Sequence, residues 1–108
     1  MVLPILAWVF TGLLLVLLLT CVAAARGSLR RNRWFGVKLP ALERSDAAWR
    51  AGHAVSVVPA AVAFVVALIA SILGLFAPAI YWVTIVAAVG GVIWVFVRAT
   101  RAADRVTP

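Results

Sequence analysis

Acid is what this sequence has least of. It holds three acidic residues against ten basic ones, with one histidine, one cysteine and one methionine in 108 residues. The acids, Glu43, Asp46 and Asp104, all fall outside the long apolar runs. Without a carboxylate inside a hydrophobic stretch, proton-coupled transport has no intramembrane acid to carry it. Enzymatic chemistry is as poorly provided for. Glu43 and Asp46 sit three apart on what reads as a solvated helix start, and no nucleophile has a base and an orienting group beside it. No catalytic residue is therefore assigned. One histidine and one distant cysteine do not make a metal-ligand set, and neither a metal nor a cofactor is expected. A lone Cys21 excludes an internal disulfide.

Charge of either sign is missing from two long blocks, Met1 to Ala25 and Ala54 to Val97. The composition is 67% hydrophobic, where a soluble domain has about 45–50%. Seven basic residues crowd between the blocks: Arg26, Arg30, Arg31, Arg33, Lys38, Arg44 and Arg50. The other three, Arg98, Arg101 and Arg105, follow the second block. Near the centre of a membrane helix an Asp, Lys or Arg costs roughly 2.5–3.5 kcal/mol on insertion scales. Segregation this sharp is the mark of a bilayer. The net charge of +7 could point to nucleic acid, but charges that flank apolar spans follow the positive-inside rule instead, and direct nucleic-acid binding is not expected. The partner implied is the bilayer itself, with anionic head groups drawn to the basic residues.

The first block, about 3–25, is long enough for one helix across a core of about 30 Å. Pro4 suits a first helical turn. Ala23-Ala24-Ala25 resembles a signal-cleavage site, but the basic cluster follows the apolar core rather than preceding it, so a retained helix is expected. Thr20 before Cys21 is a poor fit to a lipid-attachment box. The second block is about twice the length of one crossing and must fold back. Gly74-Leu75-Phe76-Ala77-Pro78 is the turn that its Gly and Pro suggest. Spans are expected at about 54–74 and 79–97, with a tail at 98–108. Tyr81 and Trp82 suit an interfacial aromatic belt, and Pro59 should kink the second span or mark its join to an interfacial segment.

The fold class is therefore an all-α membrane protein with three transmembrane helices in one domain, 1–108, and a short interfacial helix in the first loop. All ten basic residues share one side only if the N-terminus is outside and the C-terminus inside. Small residues recur four apart at Ala63, Ala67 and Ser71, at Ala70 and Gly74, and at Ala87 and Gly91. Such stripes let helices approach closely. Packing within the three-helix unit is the plainer reading; a homo-oligomer is the sharper one.

The loop 26–53 carries ordered positions that lipid alone does not require. Ser45 and Asp46 read as a helix start, the hydroxyl capping a free N–H and the acid favouring the dipole. Trp49 and His53 then stand one turn apart on one face. The plainer reading places both at the membrane interface, Trp49 as an anchor and His53 as a snorkelling side chain. The sharper one gives Trp49 a partner contact and His53 a pH-sensitive or partner-binding role. Gly36 and Pro40 mark an extended, turn-like segment, and Asn32 and Gly36 shape it.

This segment resembles the SdpI family of small bacterial membrane proteins. The resemblance rests on Asn32, Gly36, Lys38, Pro40, Ser45, Trp49 and His53, each at the family spacing and lying between two hydrophobic spans. These seven are the motif and candidate partner-binding residues. Lys38 stands where Arg is usual, losing a bidentate fork, and Leu39 and Leu42 stand where Thr is common. Known members include six-span proteins; this chain looks like a short, three-span form. The resemblance implies residence in the bacterial cytoplasmic membrane and a non-enzymatic role. That role is immunity against a secreted peptide toxin, or membrane signalling through a cytoplasmic repressor protein. The competing readings are a small accessory or structural subunit of a larger membrane complex and, behind it, a holin-like pore former.

Overall fold

A computed structural model of the chain describes residues 2–30, 36–37 and 39–106. The described residues are all helix and turn, with no strand. Five elements follow in order: α1 Val2–Ala25, a single-turn α2 Pro40–Glu43, α3 Asp46–Gly74, a 3-10 turn Pro78–Ile80, and α4 Tyr81–Asp104. Three of the helical stretches are long and apolar enough to cross a membrane.

Each boundary has a local cause. After α1, the Gly27 amide bonds the Ala24 carbonyl (3.2 Å) and the Ser28 amide bonds that of Ala23 (2.9 Å). This is a Schellman stop, and Gly27 supplies its left-handed position at φ +83°. Ser45 caps α3 from an extended conformation, its side chain accepting from the Ala48 amide at 3.0 Å. Pro40 opens α2, where a missing N–H costs nothing. Pro59 lies buried inside an α3 that runs unbroken past it; it cannot donate to the Val55 carbonyl, yet the helix does not end there. The stretch expected as a tail after Val97 is helical as far as Asp104.

The central helix is α3, packed along both α1 and α4, while α1 and α4 meet over less of their length. Small residues set the spacing. A Cβ at Gly91 would collide with that of Ala63, and Ala67, Ala70 and Ser71 are all buried. The expected stripes are thus used for packing within the chain. Gly74 serves differently. Its missing side chain is the seat for the ring of Tyr81, whose Cδ1 would lie 2.6 Å from an added Cβ. Tyr81 is consequently buried rather than part of an interfacial belt; only Trp82, 61% exposed, faces outward.

A chain of hydroxyls ties the three long helices at the end away from the basic residues. Thr11 of α1 and Ser71 of α3 are 2.9 Å apart, and Ser71 and Thr84 of α4 are 3.0 Å apart. Thr11 also donates to the Ala7 carbonyl (2.8 Å), and Thr84 to that of Ala67 (3.3 Å). Three hydroxyl protons serve four contacts, so the longest is shared or alternates. Removing the middle hydroxyl strands neither threonine, because each keeps a carbonyl acceptor. Ser71→Ala should accordingly cost no more than about 1 kcal/mol, near the average measured for such bonds in bilayers. Ser71→Leu places bulk at a fully buried point and should cost roughly 1–3 kcal/mol. Reversible unfolding in mixed micelles, followed by circular dichroism, measures both. An alanine variant as damaged as the leucine one would mean that the hydroxyls matter more than the spacing.

Candidate functional site

The described parts of the segment between α1 and α3 fold back onto the first two turns of α3, and Gly36, Trp49 and His53 are attachment points. Trp49 donates its indole N–H to the Leu29 carbonyl at 3.0 Å, tying α3 to the turn that ends α1. His53 lies one turn further along, its ring 4.3 Å from that of Trp49 and tilted by 48°. His53 Nδ1 contacts the Trp49 carbonyl at 2.7 Å, and Nε2 accepts from the Val37 amide at 3.0 Å. A carbonyl only accepts and an amide only donates, so the proton sits on Nδ1 and the ring is the neutral tautomer. Trp49 and His53 are 1% and 0% exposed. The interfacial placement expected for both is therefore corrected. Once the loop folds over them, the rings are sealed inside and reach neither water nor lipid.

Gly36 is where the loop lies flat on these rings. Its φ is +107°, a conformation in which a side chain is strained. There is also no room for one, since an added Cβ would lie 2.6 Å from Trp49 Cζ2 and 3.2 Å from His53 Nε2. Leu42 of α2 fits against Gly52 of α3 in the same manner, its Cγ 2.5 Å from where a Cβ would stand. Leu42 is fully buried and Leu39 packs beside it in the same cluster. At these two positions, where the resemblance implied Thr, this chain uses apolar side chains for packing.

Arg44 extends the attachment to the third helix. Its guanidinium donates to the Ala103 carbonyl at 2.7 Å and lies 3.8 Å from the Asp104 carboxylate. It thus supplies a second donor to a carbonyl at the end of α4 that also accepts from the Val106 amide at 3.1 Å. Reading the basic cluster as setting topology missed this task. The signal available was weak: an arginine next to a cap serine, and an acid at the end of an apolar run.

Of the seven motif residues, the structure brings Gly36, Trp49 and His53 into one cluster, and sets Ser45 at the start of the helix that carries it. Pro40 opens α2, exposed. Asn32 and Lys38 lie outside the described residues. The hydroxyls of Thr11 and Thr84 and the role of Gly52 were not singled out by sequence reasoning. Gly52 precedes His53 within a helix, a place where glycine is costly, and that cost was the available clue.

The loop also closes one end of a cleft. Between α1 and α4 runs an apolar groove of about 640 Å³, lined by Phe10, Leu13 and Leu17 on one side and Val89, Val92 and Phe96 on the other, with Gly36 and Val37 also in its wall. Gly36, Trp49 and His53 together form a latch for the loop, and substitution of it should show at Val37. His53→Phe keeps ring volume but removes the acceptor, leaving a buried amide unpaired at a cost of about 1–3 kcal/mol. Exchange of the Val37 amide with deuterium, slow in the parent, should become fast. Gly36→Ala should loosen the same amide through backbone strain of roughly 1–3 kcal/mol. Unchanged exchange in both variants would mean that the loop is held elsewhere.

No curated protein and no solved structure gives a significant match to this chain. The profile of the SdpI/YfhL protein family matches residues 28–98, a stretch that begins at the Schellman turn, contains the whole latch and both α3 and the apolar part of α4, and on that match the chain belongs to the SdpI/YfhL family.

Proposed function

We propose that this chain is a non-enzymatic, multi-pass protein of the bacterial cytoplasmic membrane that protects the cell against a membrane-active peptide toxin. The observation that carries this reading is the cleft between α1 and α4. It is apolar, its rim includes the exposed Leu13, Val89 and Phe96, and its wall includes Gly36 and Val37, the residues pinned by His53 and Trp49. A peptide that enters from the bilayer would meet apolar side chains along the groove and the latched loop at its end. The motif residues would then act by shaping that end, since Trp49 and His53 are buried and offer no surface of their own.

Topology follows the charge. Every described charged side chain lies at the end where α1 stops, α3 starts and α4 stops, which supports a cytoplasmic loop and C-terminus with an external N-terminus. On that arrangement α2 lies near the inner head groups. The exposed residues Glu43, Arg44, Asp46 and Arg50 would face the cytoplasm, where a repressor could dock; this second reading couples toxin occupancy to transcription. In the alternative role of accessory subunit, the shallow groove beside Gly90, where an added Cβ meets nothing within 4 Å, would receive a neighbouring helix.

Expression in a toxin-sensitive bacterium should raise survival during exposure. Val89→Trp fills the cleft from an exposed position and should abolish protection while leaving membrane levels unchanged. Gly36→Val should do the same through the loop, and Lys38→Arg should be neutral or favourable. Protection undiminished by Val89→Trp would remove the cleft from the mechanism and favour the accessory role. Labelling of a cysteine at Ser28 by an impermeant reagent in intact cells would reverse the topology.

A further inference from the structure

Arg98, Arg101 and Arg105 follow one another at intervals of three and four, so they fall within about 60° of arc on one face of α4. Trp94, one turn earlier, continues the same stripe. Together with Val55 of α3 and Val97, these residues line a groove of about 390 Å³. All three arginines are exposed, and among the described residues none has a hydrogen bond or an ion pair. The nearest acid in sequence, Asp104, is turned away from them to Arg44. Three guanidiniums on one face leave a concentrated positive charge that no described residue neutralises.

The groove has two chemically different ends. Val55, Trp94 and Val97 form an apolar end at the close of the uncharged part of α4; the arginines form a cationic end just beyond. A guanidinium presents a fork of donors that matches phosphate oxygens. Basic pockets between membrane helices are where anionic head groups bind. We propose that this groove is a binding site for an anionic glycerophospholipid, its phosphate held by Arg98, Arg101 and Arg105 and the first carbons of its acyl chains lying along Val55, Trp94 and Val97. The apolar end distinguishes lipid from a free phosphate, which would gain nothing there. Occupancy also gives α3 and α4 a shared ligand at the end where Arg44 already joins the loop to α4.

The test uses the full chain purified in detergent and native mass spectrometry with phosphatidylglycerol, phosphatidylcholine or inorganic phosphate. Phosphatidylglycerol should bind in preference to phosphatidylcholine. The triple variant R98Q/R101Q/R105Q should weaken it by roughly a hundredfold, from about 1 kcal/mol per arginine. A charge-matched control, R26Q/R30Q/R50Q, should leave it within about twofold of the parent, because those arginines lie outside the groove. If the glutamine triple loses helix content by circular dichroism, the three single variants carry the test, each expected to lose roughly fivefold. Equal losses in groove and control variants would reduce the site to general attraction and overturn it. Displacement of the lipid by an equal concentration of inorganic phosphate would overturn the lipid assignment and leave an anion site.

Discussion

Holding an arginine in the middle of a bilayer costs roughly 2.5–3.5 kcal/mol on insertion scales, and the rest of this protein is arranged around avoiding that cost. Ten basic and three acidic residues are kept out of the three apolar stretches. With three long apolar helices, the described charges gather at one end, where α1 stops, α3 starts and α4 stops. The same exclusion makes α3 long. At about 1.5 Å per residue its 29 residues are longer than a core of about 30 Å needs, and its first two turns, with Trp49 and His53, are covered by other parts of the chain. The loop between α1 and α3 supplies that cover.

Covering them creates a second demand, since backbone groups outside the long helices need partners. The Val37 amide finds its acceptor in the His53 ring, the Leu29 carbonyl finds its donor in the Trp49 indole, and the last turn of α4 receives the Arg44 guanidinium. Glycines at 36 and 52 let the loop approach closely enough for these bonds to form. At the other end the hydroxyls of Thr11, Ser71 and Thr84 answer the same demand between helices. Among the described residues no buried side-chain polar atom lacks a partner. Packing by small residues brings the helices together, and the polar contacts at both ends fix how they sit.

Much of this was legible in the residues. The uncharged blocks marked the long helices, Ser45-Asp46 marked the start of α3, Gly74 to Pro78 marked the turn, and the small-residue stripes marked the packing face. The helical pairing of Trp49 with His53 was legible too. Their surroundings were not, because an aromatic near a span boundary is compatible with lipid, water or a covering loop, and nothing local separates the three. Tyr81 went the same way: its fate depends on Gly74 across the turn. Leu42 and Gly52 are a mutual fit visible only from both sides.

By itself the sequence determined how many long apolar helices the chain forms, about where they begin, and that charge is kept out of them. These follow from transfer energies and capping, which act within a few residues or one helix. The tertiary structure decided that Trp49 and His53 face inward as a latch, that His53 is a neutral acceptor, that Arg44 belongs to α4, and that an open cleft remains between α1 and α4. Each of those depends on groups between 16 and 60 or more positions apart, such as Val37 with His53 and Arg44 with Ala103. A hydrogen bond over that separation is decided by how whole helices pack, and local propensity carries no record of it.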